Sequence, residues 1–142
     1  MKRPPTDFEL LKEIYARNRD QFGTYVKGAA GSRLSKIFMP VDIEEIAHHF
    51  GVDKDSIFGR LYYHLEPKYG QEPAEVGGPR KAFFSPVLGD GNDSERDCVN
   101  FPLLEAVLAG LWQERRRDLW AITTALVSLG IALASLIVSI LA

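Results

Sequence analysis

Residues 42–65 read DIEEIAHHFGVDKDSIFGRLYYHL. Asp42 with Glu45 three positions on has the spacing of a capping box, which predicts a helix over Ile43–Phe50. Gly51 supplies a residue that tolerates positive φ, so the helix stops there and the chain turns through Val52 and Asp53. A second helix is predicted over 54–65. Ile46, Phe50, Val52 and Leu61 provide the apolar contacts between the two.

Counted from Ile43, Ala47, Gly51 and Ile57 stand at positions five, nine and fifteen of this unit. Two helices crossing at a tight turn need a small residue at the crossing, a left-handed residue in the turn and a β-branched residue packing back. The unit resembles a helix-turn-helix on these residues. Residues 69–76, a turn at Gly77-Gly78-Pro79 and residues 80–88 are expected to form a two-stranded wing, strongest at Phe83 and Phe84. Residues 98–101 add a further strand. Over 6–101 the chain therefore resembles a winged helix-turn-helix domain. That resemblance implies recognition from the second helix and the wing, which makes Lys54, Asp55, Ser56, Arg60, Tyr63, His64, Arg80 and Lys81 the candidate contact residues.

On the N-terminal side, Thr6-Asp7-Phe8-Glu9 is a capping box that opens a helix running to about Gln21. Phe8, Leu11, Tyr15 and Phe22 form its apolar stripe, with Leu10 and Ile14 beside them. Residues 23–32 carry three glycines and read as a loop. Gly28-Ala29-Ala30-Gly31-Ser32 lacks the lysine and spacing of a phosphate-binding loop. A short strand is expected within 36–41.

On the C-terminal side, Pro102 suits the first turn of a helix over 102–118 that carries Leu103, Leu104, Val107, Leu108, Leu111 and Trp112. The chain's 17 basic and 19 acidic residues all precede residue 119, and 18 of the last 24 residues are hydrophobic. As a helix that segment is about 36 Å long, enough to cross a hydrocarbon core of about 30 Å. The hydroxyls of Thr123, Thr124, Ser128, Ser135 and Ser139 can bond back to helix carbonyls, so they do not oppose insertion. Residues 119–142 are expected to span a lipid bilayer. Arg115, Arg116 and Arg117 directly before the span keep the N-terminal domain on the cytoplasmic side, the layout of a tail-anchored protein. No apolar stretch near Met1 suits a secretory signal. Ala121, Ala125, Ser128, Ala132, Ser135, Ser139 and Ala142 recur at alternating steps of four and three. This continuous seam of small residues predicts close pairing with a second copy, hence a homodimer.

The expected class is α+β: a cytosolic domain over 1–101, a juxtamembrane helix over 102–118 and a membrane helix over 119–142. The formal net charge of −2 conceals a segment 1–40 at +4 and a segment 41–66 at −4. The second of these is the unit that would face DNA, and phosphates repel such a surface. Recognition of a protein partner is therefore the first expectation, and a membrane-tethered DNA-binding regulator the second. Enzyme chemistry has no constellation to support it. His48 and His49 are adjacent and diverge by about 100° on a helix, so they do not form a metal-ligand pair. Cys98 has no histidine near it in sequence. Asp90, Asn92 and Ser94 fail as a calcium loop, because Glu95 takes the glycine position and Phe101 that of the terminal carboxylate. Neither cofactor nor metal is expected.

Overall fold

A computed structural model of the chain describes residues 3–30, 32–73, 76–78, 80–91 and 94–141. Lys2 of the basic segment, Gly31 of the glycine-rich loop, Pro79 of the expected wing turn, Asn92 and Ala142 of the small-residue seam lie outside the described residues. The class is α+β: helices and a three-stranded antiparallel sheet, followed by a 41-residue apolar helix. The chain divides into two units, Met1–Leu108 and Ala109–Ala142.

The first unit opens with α1 (Asp7–Gly23), whose capping box forms as expected: the Thr6 hydroxyl accepts from Glu9 N–H and the Glu9 carboxylate accepts from Thr6 N–H. Leu10, Leu11 and Ile14 are its buried face, while Tyr15 and Phe22 stack on Phe101. After a loop, β1 (Phe38–Pro40) leads to α2 (Ile43–Phe50). Gly51 ends α2 in the left-handed region at φ 66°, and its N–H returns to the Ala47 and His48 carbonyls. Asp42 caps α2 by accepting from Glu45 N–H. The expected return bond from Glu45 is replaced, because its carboxylate pairs instead with Arg17 of α1. Ionic attraction to a guanidinium outweighs a second bond to a backbone amide.

A third helix follows in three consecutive pieces, Lys54–Gly59, a π-helical Arg60–Leu65 and Glu66–Tyr69, together called α3. Ile57, Leu61 and Leu65 are its buried face. In a regular α-helix, residues four apart drift around the axis by about 40° at each step. The wider π turn takes up that drift, so positions 57, 61 and 65 stay on one line, as do 60, 64 and 68.

The strand pair expected over 69–88 does not form. Tyr69 belongs to α3, so the chain from 69 is not free to serve as a strand. Among the described residues, an isolated bridge between Gln71 and Lys81 is the only strand-type backbone pairing between 69–76 and 80–88. The hairpin is instead β2 (Phe84–Leu88) with β3 (Glu95–Asn100), in the register Phe84 to Val99 and Leu88 to Glu95. β1 pairs with the other edge of β3, giving the order β1-β3-β2. Central β3 buries Cys98 and Val99 against Phe83 and Phe84, and this apolar gain favours the 84–100 pairing.

The last helix, α4 (Phe101–Leu141), runs without a break through 102–118 into the apolar segment. Asn100 starts it by accepting from Leu103 N–H, and Phe101, Leu104 and Leu108 close the core of the first unit. In the second unit the helix is exposed: its most apolar stretch has a mean hydropathy of 2.4 and none of it is buried. It is long and apolar enough to cross a membrane. Thr123, Thr124, Ser128 and Ser135 each donate to the carbonyl four residues back, at 2.8–2.9 Å, so their hydroxyls are satisfied within the helix.

Candidate recognition surface

The eight residues expected to make contacts divide into two groups. Arg60, half-buried, and His64, exposed, both reach the first turn of α1. There the Asp7 carboxylate, 13% exposed, accepts from Arg60 Nε at 2.9 Å and Nη2 at 2.6 Å and lies 3.1 Å from both His64 Nε2 and Lys68 Nζ. Burial pushes the Asp7 carboxyl up, but the hydrogen bonds from Arg60, Lys68 and His64 and the Arg60 charge together outweigh it, leaving the carboxyl below its ordinary value. The same contact raises Lys68. The straight line of 60, 64 and 68, set by the π turn, is what lets three side chains meet one carboxylate.

Arg80, expected as a wing cation, is committed in the same way. It pairs with Glu66 Oε1 at 3.1 Å and Glu72 Oε1 at 3.4 Å. Glu66 is the principal residue that the sequence reading passed over. It is 7% exposed, and its Oε2 accepts from the Phe83 N–H at 2.7 Å and the Phe84 N–H at 2.6 Å. A glutamate directly following the buried Leu61 and Leu65 positions was the available signal, since a carboxylate on an apolar face needs donors. Gly70 is required beside it: a Cβ there would lie 2.6 Å from the Glu66 carbonyl and 2.9 Å from Oε1.

Lys54, Asp55, Ser56 and Tyr63 are exposed as expected, and Lys81 is exposed at the Gln71 bridge. Tyr63 is 74% exposed, and Tyr62 beside it 40%. Tyr62 stacks on Phe58 at 5.6 Å and meets Tyr63 edge-on at 5.0 Å, while Phe58 leans on Phe84 of β2 at 5.8 Å. The free face of α3 is thus an aromatic ridge beginning at an acidic end, Asp53 and Asp55. Aromatic side chains with few rotamers offer large contact area at low entropic cost, which suits a binding face.

His49 and the cysteine hold structure. His49 Nε2 lies 3.6 Å from Glu13, whose other oxygen accepts from Arg17 Nε at 2.6 Å, so this group ties α1 to α2. Cys98 is fully buried, and its thiol is pushed up to about 11, chiefly by burial and further by the charges of Glu95 and Asp97. A thiol so disfavoured as thiolate is a poor nucleophile. Searches against protein-family models, curated proteins and solved structures found no match to this chain.

Proposed function

We propose that the first unit is a winged-helix module that recognises a protein partner at the cytoplasmic face of a membrane, held there by α4. The order helix, strand, helix, helix, strand, strand with sheet order β1-β3-β2 supports a winged helix whose wing is the β2–β3 hairpin. Arg115, Arg116 and Arg117 ahead of the apolar run support the cytoplasmic placement, and Trp112 and Trp120 flank them as interfacial anchors. The small-residue seam supports pairing of two copies in the bilayer.

One observation carries the choice of partner. Arg60, Lys68 and Arg80, the cations a nucleic-acid reader would extend, are bound to Asp7, Glu66 and Glu72, while the free face is aromatic and acidic. Such a face repels phosphate and favours protein. A photo-reactive residue in place of Tyr63 of the full membrane-embedded chain should crosslink to a discrete protein, and one in place of Glu105 should not. Equal labelling from both positions, or none, would refute the reading.

The strand order also favours a second reading, a membrane-tethered DNA-binding regulator, with Lys54, Tyr63 and Lys81 as its remaining contacts. That reading requires the solubilised full chain to shift duplex DNA at low salt, where non-specific affinity is greatest. No shift there removes it.

A further inference from the structure

The aromatic ridge of α3 runs into a groove of about 460 Å³ formed by α2, α3 and β3. Asp42, Glu44, Asp55 and Asp97 stand around it, against the cations of Lys54 and Arg96. Phe58 lines the groove and continues through Tyr62 to Tyr63, so an acidic cleft and an aromatic strip form one surface. Asp97 holds a left-handed backbone at φ 53°, opposite Pro86, which has no N–H to offer the ladder. Its carbonyl accepts from Val41 N–H instead. Burial raises the Asp97 carboxyl more than the neighbouring Arg96 lowers it, so an additional cation beside it would be favoured.

We propose that this surface docks an arginine- and lysine-rich cytoplasmic segment of another membrane protein, with guanidinium groups lying on Tyr62 and Tyr63 and pairing with the carboxylates of the groove. The proposal rests on the reading of α3 as a protein-binding face at a membrane. Charge complementarity selects the occupant. Segments flanking transmembrane helices on the cytoplasmic side are enriched in lysine and arginine, and a module anchored at that face meets them directly. Arginine combines flat stacking on an aromatic ring with forked hydrogen bonding to carboxylates, the two features that meet here. The same carboxylates repel anionic headgroups and nucleic acid.

The test uses the full chain in bilayer discs of zwitterionic lipid and a dye-labelled peptide alternating arginine and leucine, read by fluorescence anisotropy. Binding should weaken with salt, and a glutamate-leucine peptide should not bind. Glu44→Lys with Asp55→Lys should weaken the arginine peptide roughly tenfold or more, and Tyr63→Ala should weaken it several-fold. Glu105→Lys with Glu114→Lys makes the same change in net charge away from the groove and should leave affinity within about twofold. Urea unfolding of each variant confirms that it is folded. Equal weakening by the two charge reversals, or no binding by the folded wild type, overturns the proposal. If the peptide fails while Tyr63 still crosslinks to a discrete protein, the partner chemistry is wrong and the binding face stands. If both fail, the face itself is wrong.

Discussion

Arg60 and Asp7, 53 residues apart in sequence, are joined by two hydrogen bonds, Nε at 2.9 Å and Nη2 at 2.6 Å to the same carboxylate oxygen. The pair fastens the middle of α3 to the first turn of α1, and in doing so engages a cation that α3 would otherwise offer to a ligand. Stability and recognition are set by the same side chain. An arginine that holds two helices together is not free to read a ligand.

Asp7→Asn should therefore destabilise the first unit. Arg60 and Lys68 lose their counter-charge, but both are at least one-third exposed, so water screens the loss to about 1–2 kcal/mol. The pH dependence has a definite sign. Asp7 is held below its ordinary value of 3.8, so its contribution is complete above that pH and disappears as pH falls through the folded-state value. Urea unfolding of the full chain should separate wild type from variant at about pH 7, and the gap should close as the pH is taken below the ordinary carboxyl value of 3.8. A gap that persists in acid would mean that the carboxylate charge is not what joins the helices.

Glu66 presents a harder constraint. Glu66→Ala would strand the Phe83 and Phe84 amides with no acceptor in a buried position, at a cost of about 2–4 kcal/mol. Glu66→Gln keeps an oxygen acceptor but loses the Arg80 ion pair, so about 1 kcal/mol is expected. Hydrogen exchange at the two phenylalanine amides should accelerate strongly in the first variant and only slightly in the second. Unchanged exchange in Glu66→Ala would show that another group satisfies them.

The contrast between these two carboxylates explains what was legible in the sequence. Local signals carried α1, α2 and the Gly51 turn, because a cap and the residue it serves are three positions apart and a left-handed turn is written in one glycine. The apolar character of α4 was equally local. The hairpin was misplaced because strand pairing is decided over distance: 69–76 and 80–88 flank a good turn, but β3 buries apolar surface against β2, and α3 runs on to Tyr69. Gly89-Asp90-Gly91, glycines both at positive φ, was the stronger turn signal. Arg60 and His64 were read as free contact residues, since nothing near them in sequence identifies Asp7 as their partner.

Cys98 offers a probe of this packing. Its side chain is fully buried in central β3, and its thiol is pushed up from 9.0 to about 11. At about pH 8 the folded chain should resist alkylation, because both access and thiolate are lacking. Labelling should follow the urea unfolding transition of the first unit. Rapid modification without denaturant would mean that the β1-β3-β2 sheet opens locally at this position.

The seam in α4 is tested by size. Ala125 and Ala132 lie seven residues apart within the exposed apolar stretch, and each small side chain allows a second helix backbone to approach closely. Ala125→Ile with Ala132→Ile adds bulk at two levels of the same stripe while keeping the helix as hydrophobic, so insertion is preserved and only the approach is blocked. In a membrane self-association assay the dimer fraction should fall, by an amount corresponding to about 1–2 kcal/mol. Leu126→Ile with Leu133→Ile, on the neighbouring face at the same depth, should leave association unchanged. If both pairs act alike, general packing of an apolar helix accounts for association; if neither acts, the regular spacing of small residues reflects only their tolerance in a membrane span.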